Sequence, residues 1–187
     1  MRSGASFQNI EEAFKEFSVS VCFKLQLKNY TCVDLIASDY YVKSGRFSYP
    51  PISVKSGEME MMAGRKRRGA LVGTEGIATW NIGCTGNVLS VMYSMPFSQR
   101  TYKNCLAVGI HNINEEMTLE KRFCQMYSEE ESGFTRKQFV DDTKAVTFTS
   151  NEGRFTISGV MGKEYTCTIT ILFSASKSEE HCISGKY

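Results

Sequence analysis

The stretch SVSVCFKLQL, residues 18–27, decides the fold. Val19, Val21, Phe23, Leu25 and Leu27 fall on one side of an extended chain, and Ser18, Ser20, Cys22, Lys24 and Gln26 fall on the other. A helix would scatter these apolar positions around its circumference, so a strict period of two specifies a half-buried β-strand. Asn29 and Tyr30 suit a turn, and a second strand follows to Val42. Working outward, shorter strands are expected at 57–62, 70–81, 87–94, 107–112, 145–150, 155–160 and 165–174, separated by Gly, Asn and Ser turn chemistry. Residues 45–51 read as a loop, because Pro50 and Pro51 cannot donate to a ladder.

A parallel α/β fold needs helices alternating with strands, and that alternation is missing. Only two segments carry a helical stripe. Residues 9–17 place Ile10, Ala13, Phe14 and Phe17 opposite Glu11, Glu12, Lys15 and Glu16. Residues 118–128 place Leu119, Phe123, Met126 and Tyr127 on one face, with Thr118 as N-cap. The expected fold is therefore mainly β: an antiparallel β-sandwich flanked by two α-helices. Its organisation is an amphipathic segment over 1–18, a sandwich domain over 19–175 and a loose polar tail over 176–187.

With 187 residues the chain has the size of one domain, and 42% hydrophobic against 22% charged residues supports an ordinary core. A net charge of +2 gives no reason to expect nucleic acid as a partner. No apolar run approaches the ~20 residues of a bilayer-spanning helix. The first residues lack the apolar core of a secretory signal, which points to a cytosolic start unless a leader has been removed. Seven scattered cysteines, an odd number with no C-x-x-C pair, read as thiols of a reducing compartment. Asn29–Tyr30–Thr31 matches a glycosylation acceptor, a motif short enough to arise by chance.

Nothing recommends an enzyme. The two histidines, His111 and His181, stand in no metal or hydrolase motif, and Gly69, Gly73 and Gly76 precede no helix that would make a phosphate cradle. No metal or cofactor is expected. The chemistry concentrates elsewhere, where Val88–Phe97 runs as a strand into Pro96 and is followed by Tyr102. Aromatic faces attract a quaternary ammonium, and serine and tyrosine hydroxyls donate to phosphate. The run Arg65, Lys66, Arg67, Arg68 reads as an exposed turn between strands: a solvated hairpin tip that keeps an edge soluble, a contact for anionic lipid, or a nuclear-import signal.

The segment LSVMYSMPFSQRTYKNCLAVGI, 89–110, together with YVKSG, 41–45, resembles the actinoporins, the pore-forming cytolysins of sea anemones, and the resemblance spans 7–175. It implies the same sandwich, binding to phosphocholine headgroups of phosphatidylcholine and sphingomyelin, and oligomerisation on target membranes into a cation-permeable pore. Matched position by position, Ser44, Ser94, Pro96, Tyr102 and Tyr127 fall on the family's phosphocholine pocket, and Phe123 stands where a tyrosine is usual. Ile10, Ala13, Phe14 and Phe17 fall on the pore helix. As a helix, 3–18 would reach ~24 Å at 1.5 Å per residue, against ~30 Å of hydrocarbon, unless it extends into the first strand.

Several positions depart from the family pattern. Thr101 and Cys105 replace the exposed tryptophans, Glu75 replaces a small apolar residue, and Trp80 lies on an inner strand. Glu75 would repel phosphate or pair with a choline cation. Fungal fruit-body lectins share the sandwich, so a non-lytic lipid- or glycan-binding module is the alternative.

Overall fold

The structure is a computed structural model and describes residues 12, 14, 20–128, 133–140 and 144–175. Two sheets face each other. One contains six strands in the order β3-β4-β1-β11-β10-β9, and the other five in the order β2-β5-β6-β7-β8. In the first, β1 (Cys22–Tyr30) lies between β4 (Met59–Arg65) and β11 (Thr166–Ala175); β3 (Arg46–Tyr49), β10 (Phe155–Met161) and β9 (Val146–Thr149) complete it. The second holds β2 (Leu35–Ser44), β5 (Thr74–Ile82), β6 (Asn87–Met95), β7 (Asn104–Asn112) and β8 (Phe134–Phe139).

The alternation in β1 falls as read: Phe23, Leu25 and Leu27 are buried while Lys24, Gln26 and Lys28 are only partly covered. These apolar residues meet Trp80, Leu89, Val91 and Leu106 between the sheets. Each such side chain contributes roughly 1.5–3 kcal/mol by leaving water. Trp80 is fully buried, as its inner-strand position implied, and its indole N–H donates to the Ile52 carbonyl at 2.9 Å.

Strands β5, β6 and β7 show near-continuous burial instead of alternation, because the outer face of their sheet is covered too. The helix α1 (Leu119–Ser128) lays Phe123 and Met126 on Ile77, Met92, Cys105 and Ala107. Thr118 caps it, its hydroxyl accepting from the Lys121 N–H at 3.2 Å.

The sandwich departs from the expectation in three respects. It is not wholly antiparallel, since β1 and β11 pair in parallel from Cys22↔Thr166 to Tyr30↔Ser174. Residues 46–49 are strand β3, not loop, because Pro50 and Pro51 follow the pairing with β4 and never have to donate to it. Strand β8 was not anticipated, since its FTRKQF sequence is mostly polar at an edge of the sheet. Of the two expected helices, the one over 118–128 is α1. The segment 9–17 lies outside the described residues except for Glu12 and Phe14, both helical. The tail 176–187 also lies outside the described residues. Extension of the N-terminal helix into β1 would break ladders on both of its edges, with β4 and with β11.

Candidate functional site: a headgroup-sized cavity at the end of β6

The site is set by sheet register. Glu75 on β5 pairs across to Ser44 on β2 and to Ser94 on β6, so the three side chains share one face. That is the face α1 covers, and these residues lie where the helix runs out, beside Tyr127. A cavity of about 270 Å³ opens there, with Glu75, Ser94, Pro96, Tyr102 and Tyr127 in its lining. Ser94 forms a floor that is only 4% exposed, whereas Tyr102 is 61% exposed.

Two glycines permit the arrangement. A Cβ on Gly73 would stand 1.8 Å from the Met95 carbonyl oxygen, so only glycine lets β5 start against the end of β6. Gly45 turns with φ +86 beside Thr74, a conformation that favours glycine.

The expected residues are not all brought together. Ser44 sits at the cavity's edge, with its hydroxyl donating to the Gly73 carbonyl at 3.1 Å. Phe123 is only 1% exposed, stacked on Tyr127 with centroids 5.7 Å apart, and supports the wall without lining it. Both rings already carry a cation: Lys43 Nζ stands 5.4 Å from the Phe123 centroid and 5.6 Å from that of Tyr127. The basic run is not one exposed turn. Arg65 ends β4, and Lys66 is buried, donating to the Ala70 carbonyl at 2.6 Å with its ammonium 4.6 Å from the Phe97 centroid. Arg67 and Arg68 are exposed.

Of the expected pore-helix residues, Phe14 is half-buried with Lys24 Nζ 5.6 Å from its ring; Ile10, Ala13 and Phe17 lie outside the described residues. Cys105 is buried under α1, and Thr101 is exposed.

An apolar rim around the cavity was missed. Leu71 is 81% exposed, and Val72 and Phe97 are also solvent-facing. The signal for Leu71 and Val72 was present as the apolar run Ala70–Leu71–Val72 between Gly69 and Gly73, in a segment read as strand. A second cavity, about 430 Å³, occupies the opposite end of the sheet, where Asn87 pairs with Asn112. His111, Glu115, Arg122 and Gln125 line it, and Glu115 and Arg122 form an ion pair.

The profile of the sea anemone cytotoxic protein family matches residues 7–164. The chain belongs to this family. Membership makes it a lipid-binding, pore-forming toxin-like protein of the actinoporin kind, and not an enzyme. No curated protein sequence matches the chain.

Among solved structures, the lipid-binding protein Nakanori is similar at 14% identity with a TM-score of 0.72, over 89% of this chain and 77% of that one. IP-1A from Alcaligenes faecalis is 12% identical with a TM-score of 0.50, over 88% of this chain and 97% of that one. The lectin XCL from Xerocomus chrysenteron is 14% identical with a TM-score of 0.50, over 83% of this chain and 100% of that one. At these identities the likeness is one of fold. No helix among the described residues is long and apolar enough to cross a membrane.

Proposed function

We propose that this protein docks on membranes by taking a zwitterionic phospholipid headgroup into the cavity at the end of β6, then assembles into a cation-permeable pore. The phosphocholine heads of phosphatidylcholine and sphingomyelin are the first members of that class to test. The observation that carries the reading is the convergence of ring, hydroxyl and carboxylate groups beneath an apolar rim. Leu71, Val72 and Phe97 can enter the interfacial layer in place of tryptophan anchors, while Arg67 and Arg68 face the lipid phosphates. The pore lining is assigned to the amphipathic stripe of Ile10, Ala13, Phe14 and Phe17, whose opposite acidic face suits cations.

Sedimentation with phosphatidylcholine vesicles, with and without sphingomyelin, run beside dye release, tests both steps. Tyr102→Ala is expected to weaken binding. Deleting residues 1–17 is expected to abolish leakage and retain binding. Binding of the intact chain without leakage would remove the pore and keep the headgroup site.

A second reading, a non-lytic glycan-binding module, is favoured by the polar cavity around His111, Arg122 and Gln125. The Arg122 guanidinium and the Gln125 amide in its lining are of the kind that meet sugar hydroxyls. Glycan binding with no vesicle binding would decide for it.

A further inference from the structure

The headgroup cavity contains a carboxylate, Glu75, that two hydroxyls approach but no described cation pairs with. Ser94 Oγ donates to Glu75 Oε2 at 3.3 Å, and Ser44 Oγ lies 3.5 Å from Oε1 while also donating to the Gly73 carbonyl. Among the described residues no lysine, arginine or histidine forms an ion pair with Glu75. A partly buried carboxylate without a counter-ion is unfavourable, so the cavity is disposed to accept a cation.

The hydroxyls add direction to this preference. Each has one proton and two lone pairs. With the Ser94 proton turned to Glu75 and the Ser44 proton to Gly73 or Glu75, both offer lone pairs alone to a ligand. The floor of the cavity is thus composed of acceptors. It repels a phosphate and matches a cation rich in N–H donors. A quaternary ammonium has no N–H, and it depends on ring faces. The stacked pair Phe123 and Tyr127 already holds the ammonium of Lys43.

Building on the headgroup reading above, we infer that the cavity selects a primary ammonium of the ethanolamine type over choline, with Glu75 as the specificity-determining residue. The ammonium points inward to Glu75, Ser94 and Ser44. The phosphate lies outward, toward Lys43 and toward Arg67, whose Nε donates to the Gly45 carbonyl at 3.4 Å. The same ammonium chemistry can arrive on a lipid or on a free amine, and the test separates the two.

Sedimentation of the full chain with vesicles of phosphatidylcholine alone, and with phosphatidylethanolamine added, reads the preference. Ethanolamine-containing vesicles are expected to bind at about tenfold lower lipid concentration, the scale of one charge-assisted hydrogen bond. Glu75→Gln keeps the size of the side chain and is expected to erase the difference, as is Glu75→Ala. Amide chemical shifts of Glu75 and Ser94, followed with free ethanolamine and with tetramethylammonium, provide the second measurement.

If both vesicle types bind equally, and Glu75→Gln changes nothing while Tyr102→Ala weakens both, the ammonium selectivity is overturned and the headgroup site stands. If no vesicle binds but ethanolamine alone shifts those amides in the wild type and not in Glu75→Gln, the selectivity stands and the membrane reading falls. If neither vesicles nor amines register, both are overturned.

Discussion

Asn29 occupies the acceptor position of a glycosylation motif, yet its side chain is spent on the fold. It is 1% exposed; Nδ2 donates to the carbonyls of Val33 at 2.7 Å and Lys55 at 3.2 Å, and Oδ1 accepts from the Thr31 N–H and hydroxyl. Asn29→Ala would strand several buried partners at once and is expected to cost about 2–4 kcal/mol in urea unfolding. The sequon should stay unmodified in the folded protein, which a glycosylation-competent expression host and intact mass would check. The thiols divide in the same way. Burial pushes Cys105 up to about 11, opposed by Arg136, and pushes Cys167 up to about 12, with Cys22 adding to the rise. Cys84 and Cys124 are exposed. A thiol reagent at pH 8 should therefore label Cys84 and Cys124 promptly, and Cys22, Cys105 and Cys167 only on unfolding. Sequence could identify these residues as thiols and as a motif, but their burial depends on partners far along the chain.

At the scale of elements, α1 couples the fold to the cavity. Phe123 is its largest anchor on the sheet and the support for Tyr127. Phe123→Ala is expected to cost about 3–5 kcal/mol, with hydrogen exchange accelerated along α1 ahead of β5 and β6. This helix was legible because its apolar stripe packs on one face while its other face meets water. Strand β1 was legible for the same reason. The inner strands β5–β7 were legible as apolar runs between turn residues, since covering both faces removes the alternation. What escaped was β3, which pairs only with β4, and β8, an edge strand whose six residues include a single buried one. β8 has no apolar period to read, and the alternation of Phe47 and Tyr49 in β3 is only four residues long and runs straight into Pro50 and Pro51. The parallel β1–β11 pairing escaped as well, since the strands' partners are chosen by closure of the whole sheet.

The whole molecule is a sandwich with two chemically different ends. The end bearing Ser94 and Tyr102 joins residues from β2, β5, β6 and α1; the Ser44–Glu75–Ser94 row exists only through strand register. A resemblance placed most of these residues in one pocket, but it could not reveal that Lys43 covers the rings or that the serines face Glu75. The other end is tuned by His111. Burial lowers its imidazole to about 4, the Arg122 charge adding to the drop and Glu115 opposing it, while Ser90 Oγ sits 3.1 Å from Nδ1. The unfolded chain takes up this proton near the ordinary 6.5, whereas the folded protein resists it until about 4. Stability from this group is therefore full above pH 6.5 and is lost progressively as pH falls toward 4. Burial also raises Glu115, but its Arg122 bond and charge outweigh that and hold it below the usual carboxylate range, so its contribution disappears further into acid. Urea midpoints measured from pH 7.5 to 4 should decline, and His111→Gln should remove the part of the decline that begins near 6.5. A profile unchanged by that substitution would mean that the imidazole at this end is hydrated and titrates freely.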